Sequence, residues 1–234
     1  VAIVIGCVMG FLLGEIVAEI LLAIAVHVVH FHGGFSALLK RTNPPWWDNA
    51  LGLIGLWSGM GAAIVYSRTQ GGLKRLDQQW VVRPTDIVYA LLGVGCQFIV
   101  DLAYAPFHFK GLNKPVNHLF GSAHGLSFAV VALMTTLGAP IVEEWFFRGV
   151  LFRALDDGFS RTLRRGASVA AVVLSACIFA LAHAEPLQFV GLAFLGIVLA
   201  VLVKRTQRLT PSVITHVSFN AVAMISLLAQ RAGH

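Results

Sequence analysis

The sequence predicts an all-α, polytopic transmembrane helical bundle of about seven to eight spans. Three observations predict it. Of the 234 residues, 57% are hydrophobic and only 12% charged, where a soluble domain carries about 25% charged residues. Apolar runs close to the ~20 residues that cross a hydrocarbon layer recur along the whole chain, and the mean hydropathy is +0.79. The runs lack the roughly ten-residue alternation of a membrane barrel, so each must satisfy its own backbone as a helix.

The first run, near 1–30, is too long for the apolar core of a cleaved signal peptide and lacks a basic start, so it reads as a span. Glu15 and Glu19 stand one helical turn apart within it, and either face the bundle beside a base or stay protonated. His27, His30 and His32 close its end as interfacial residues, and Trp46 and Trp47 after Pro44-Pro45 fit an aromatic belt. In the second run, 50–66, Gly55 and Gly59 make a small-xxx-small face for close helix contact. The third covers 87–107. The fourth, 123–155, exceeds one crossing and is expected to end at Asp156-Asp157-Gly158. Only Ala184-Glu185-Pro186 separates the fifth run, 167–184, from the sixth, 187–203, which implies a turn held within the membrane. The last run is 211–229. Little chain is left over, hence one integral domain: residues 1–119 supply N-terminal spans and 120–230 a helical core. Cys7, Cys96 and Cys177 are isolated in apolar runs and read as small buried hydrophobes.

The net charge is +6, but its distribution argues against nucleic acid. Alternate loops place Arg68, Lys74, Arg75, Arg83, Arg148, Arg153, Arg161, Arg164, Arg165, Lys204, Arg205 and Arg208 on one side. Lys40, Arg41, Lys110, Lys114 and Arg231 fall on the other. Twelve against five is the asymmetry that marks cytoplasmic loops, here 67–86, 156–166 and 204–210. Membrane lipid, not a polyanion, is the expected partner.

Polar chemistry is concentrated in three places. In Glu143-Glu144-x-x-x-Arg148, Glu144 and Arg148 share a helical face at ion-pair spacing while Glu143 is rotated by ~100°. Phe179-x-x-x-His183 sets an aromatic ring beside an imidazole, and His216-x-x-x-Asn220 sets an imidazole beside an amide. Charge near the bilayer centre costs roughly 3 kcal/mol or more, so such residues are site candidates by default. A hydrolase needs a base for water and donors for the developing oxyanion. Glu143 with His183 can hold and activate the water, and His216 with Asn220 can donate. At about 1.5 Å per residue from the basic ends, Glu143 and Asn220 lie roughly 18 Å deep, His216 roughly 12 Å and His183 roughly 26 Å. A cavity opening toward the cytoplasm is expected, with His183 its loosest fit. Three zinc ligands could also come from Glu143, His183 and His216. There is no HExxH, GxGD or GxSG motif of other membrane proteases.

The patterns EExxxR, FxxxH and HxxxN, in that order on successive spans, resemble the CPBP family over about residues 120–230. That family comprises type II CAAX prenyl endopeptidases and bacteriocin-processing or self-immunity proteins. The resemblance implies an intramembrane peptidase in which Glu143 activates water with help from His183. It implies an oxyanion site from His216 and Asn220, supported by Glu144 and Arg148, with Phe179 shaping the cavity. It also implies a peptide or protein substrate, prenylated in the CAAX case, no required cofactor with zinc the alternative, and a place in a bacterial plasma membrane with the site reached from the cytoplasm. A non-enzymatic immunity or chaperone factor, binding a peptide or lipidated tail in the same cavity, is the competing expectation. A proton-coupled transporter ranks below both, lacking paired broken helices and repeats.

Overall fold

Small residues set the first helix contact. The computed structural model describes residues 1–41, 43–70, 80–112, 114–163 and 165–232. In it α1 (Ala2–Val28) is followed by the short α2 (Gly34–Leu39) and by α3 (Trp46–Thr69). Helix α1 buries Cys7, Gly10, Gly14 and Ala18, one residue per turn, against Gly55 and Gly59 of α3. A Cβ at Gly14 would lie 2.8 Å from the Leu56 carbonyl oxygen and 2.9 Å from its Cα. Lipid offers no hydrophobic drive for association, so this close backbone packing supplies it through dispersion. Gly14→Leu is therefore expected to lower the stability of the detergent-solubilised protein by about 1–3 kcal/mol, read as an earlier thermal unfolding transition. An unchanged transition would remove the contact from the account. Glu15 and Glu19 lie off this stripe and are exposed, so the option that they face the bundle is corrected: the Gly10/Gly14/Ala18 face holds that place.

A 3-10 turn (Pro84–Ile87) leads into α4 (Val88–Tyr104), and after a loop comes α5 (Lys114–Phe120). Helix α4 packs along the last helix of the chain, with Gly93 against the Thr215 backbone. The long helix α6 (Gly125–Thr162) has two π segments, Met134–Gly138 and Glu144–Phe152. Pro140 explains the first. It lacks an N–H and its ring crowds the preceding turn, and a wider turn relieves both. Helix α6 does not end at Asp156-Asp157-Gly158; it continues to Thr162. Lys204 anchors the extension on Asp156 at 2.5 Å, and Leu155 and Phe159 pack on the core.

Helices α7 (Ala167–Ala182), α8 (Phe189–Thr206) and α9 (Thr210–Ala232) complete the bundle. Among the described residues, six helices are long and apolar enough to cross a membrane, and α7 is a shorter seventh, in keeping with an integral membrane protein. At about 24 Å, α7 falls short of the hydrocarbon thickness. His183 closes it, and Ala184 has a left-handed φ of 52°. The following turn leads directly into α8. Lys74, Arg75 and Arg164 of the basic loops lie outside the described residues. Arg208, in the loop between α8 and α9, is not displayed at the surface: it is buried, and donates to Asp86 at 2.6 and 2.8 Å and to the Val81 carbonyl at 2.9 Å. That pair ties the start of α9 to the entry of α4.

Candidate active site

Glu144 sits at the centre of the bundle with no exposed surface. Arg148, one turn along the π segment, donates to its Oε1 at 2.8 Å and to the Gly196 carbonyl of α8 at 3.3 Å. The guanidinium also lies 4.2 Å above the Phe179 ring. Ser212 of α9 donates to Glu144 Oε2, and His216 Nδ1 lies 3.0 Å from Oε1. One carboxylate thus gathers partners from α6 and α9, and its arginine reaches α8. Burying two charges is favourable only when the remaining lone pairs and protons are satisfied, and here the carboxylate has three donors.

The result is orientation. With Nδ1 of His216 donating to Glu144, its Nε2 points to Glu143 Oε2 at 3.9 Å. His183 arrives at the same point from α7. Its Nδ1 lies 2.8 Å from the Phe179 carbonyl, which can only accept, so Nδ1 carries the proton. Its Nε2 then faces Glu143 Oε2, also at 3.9 Å. Phe179 is fully buried, with its ring centroid 4.7 Å from that of His183 and 5.6 Å from that of His216. It is both the wall behind the imidazoles and, through its carbonyl, the acceptor that fixes one of them.

The four residues expected to act together, Glu143, His183, His216 and Asn220, line one cavity of about 830 Å³. Because α6 continues to Thr162, His183 and Glu143 come to similar depths along their helices. Counted from there, Glu143 is roughly 28 Å along α6 and His183 roughly 24 Å along α7. Asn220 has a second duty. Its Nδ2 donates to the Thr135 carbonyl at 3.0 Å, the oxygen five residues before Pro140 that a π-type bond from that residue would have taken. One N–H of the amide is engaged there and the other is available to the cavity.

Among the described residues no group of three His, Cys, Asp or Glu side chains is placed to hold a metal ion. Sequence reasoning missed Ser212, although Ser212, His216 and Asn220 recur every four residues on one face of α9, a pattern that could have pointed to it. The Gly196 carbonyl carries no such signal.

The cavity also has a direction. It runs from Glu143 and Met60 toward residues 104–120 and the turn 183–188, and no described residue of 61–96, 148–181 or 193–215 lines it. Phe146, Phe152, Leu155 and Leu209 fill the other end of the bundle.

Three polar motifs from three helices converge in the order in which they stand in the chain. Residues 119–222 match the family model Type II CAAX prenyl endopeptidase Rce1-like. The matched segment contains every residue of the three motifs, and over it the chain is similar to CAAX-type proteases of the CPBP family. The first three long helices precede the match. No curated protein and no solved structure matches the chain.

Proposed function

We propose that the protein is an intramembrane endopeptidase in which Glu143 is the general base. The observation that carries this reading is the carboxylate of Glu143, 3.9 Å from Nε2 of both His183 and His216, within a cavity large enough for a peptide segment. A water molecule about 2.8 Å from two such atoms fits that spacing as a bridge. Glu143 takes its proton as the oxygen attacks the scissile carbonyl, and returns the proton to the leaving nitrogen. His183 positions the water through Nε2. When protonated, His216 pairs with Glu144 through Nδ1 and donates from Nε2 to the oxyanion, with the free N–H of Asn220 as second donor.

The cavity wall is rich in apolar side chains, among them Phe11, Leu53, Leu56, Met60 and Met224. It suits a substrate with an apolar stretch or chain beside the scissile bond, which includes the prenylated CAAX-type tail that the family description suggests. The test is a peptidase assay of the purified protein on matched prenylated and unprenylated peptides, each with and without chelator. Cleavage that survives chelation is expected. Loss of cleavage with chelator and its return with zinc would transfer the role of Glu143 to metal ligation.

A further inference from the structure

We propose that Ser212 is a positioning residue of this site: it holds one oxygen of Glu144, so that the ion pair with Arg148 stays one-pronged and the other oxygen remains in place for His216. Its effect on turnover rests on the peptidase reading above; the arrangement of the carboxylate does not.

Two observations carry the inference. The first is the division of donors between the two carboxylate oxygens. Oε1 receives Arg148 Nη1 at 2.8 Å and faces His216 Nδ1 at 3.0 Å. Oε2 is bonded to Ser212. The second guanidinium nitrogen, Nη2, goes instead to the Gly196 carbonyl at 3.3 Å. Arginine and a carboxylate commonly pair through two parallel N–H···O bonds. Here the oxygen that a second bond would take is occupied by the Ser212 hydroxyl. Without that hydroxyl, Oε2 is left bare in a residue with no exposed surface, and an unsatisfied buried acceptor is costly. The terminal torsion of a glutamate is soft, so the carboxylate relieves the loss by turning Oε2 onto Nη2. Oε1 turns with it, and His216 loses the acceptor that aims Nε2 at Glu143.

The second is the direction of the Ser212 hydroxyl. Serine and threonine within a helix can bond back to a carbonyl of the preceding turn. Ser67, Ser175, Thr215 and Ser218 all do so, whereas Ser212 donates across to α6. It is fully buried, one turn before His216 on the same face of α9. One turn earlier stands Arg208, held on Asp86 at 2.6 and 2.8 Å. The start of α9 is thus fixed in rotation, and the serine gives its one proton to the carboxylate rather than to its own helix.

Ser212→Ala and Ser212→Thr are compared with the wild type on the prenylated and unprenylated peptides of the peptidase assay, and the structure of the alanine variant is determined. In the alanine variant kcat should fall at least about tenfold, as loss of a residue that orients a reacting group commonly costs, with KM unchanged. The threonine variant keeps the hydroxyl and should stay close to the wild type. In the alanine variant both Glu144 oxygens should lie on Arg148, with His216 Nδ1 out of hydrogen-bond range. Wild-type kcat in the alanine variant, equal losses in the two variants, or a carboxylate that has not turned would each overturn the proposal. A wild type that cleaves neither peptide counts against the peptidase reading alone, and the structure of the variant still decides the role of Ser212.

Discussion

Glu143→Gln should abolish peptide hydrolysis while leaving the helical bundle intact. The substitution keeps the size of the side chain and removes the capacity to accept a proton, and general base catalysis contributes typically about 10²–10⁴-fold. Glu143 makes no ion pair with Arg148; that arginine is bonded to Glu144 and to the Gly196 carbonyl. Its carboxylate is 13% exposed and faces the two imidazoles at 3.9 Å, so neutralising it leaves no buried cation stranded. The expected result is a fall in kcat of about 10²-fold or more with an unchanged melting transition. Retention of wild-type turnover would end the assignment of Glu143 as base. Loss of turnover with binding of a peptide retained would separate the catalytic reading from that of a non-enzymatic binder, for which Glu143 is only part of a wall.

Glu144→Ala should damage both stability and activity. The carboxylate receives Arg148, Ser212 and His216 in a fully buried position. Its removal leaves the guanidinium with one carbonyl at 3.3 Å and the face of Phe179. Breaking a buried pair by deleting one partner costs about 3–5 kcal/mol, which should appear as a markedly earlier unfolding transition. His216 also loses the acceptor that holds Nε2 toward Glu143, so activity should fall in whatever protein still folds. A double variant, Glu144→Ala with Arg148→Met, distinguishes the two effects: it should recover much of the stability, since no charge remains buried, and none of the activity. Recovery of activity in that variant would refute the orienting role of Glu144, and an unchanged melt in the single variant would refute the pairing.

Much of the bundle was legible in the chain because bilayer thickness imposes a length on apolar runs. The runs near 1–30, 50–66 and 211–229 correspond to α1, α3 and α9 within a few residues. Gly55 and Gly59 announced a close contact, but their partner stripe on α1, Gly10, Gly14 and Ala18, emerged only from the packed pair. The end of α6 was misplaced by seven or so residues, because Asp156 and Gly158 weaken a helix locally and Lys204 compensates from 48 positions away.

Pro140 marked a disturbed turn, yet which polar group would meet the freed Thr135 carbonyl was decided by α9 lying alongside and presenting Asn220. The opening of the cavity was likewise beyond the sequence, since it depends on which loops leave space and which ends are filled.

By itself the sequence determined a membrane-embedded helical protein and the residue types of its site: side-chain spacing on a helix is local, and charge in an apolar run stands out against its solvent. Tertiary structure alone decided that Glu144 holds His216, that the Phe179 carbonyl holds His183, and that both imidazoles present Nε2 to Glu143. The physical reason is that hydrogen-bond direction between helices depends on their mutual rotation and depth, which are set by the packing of the whole bundle.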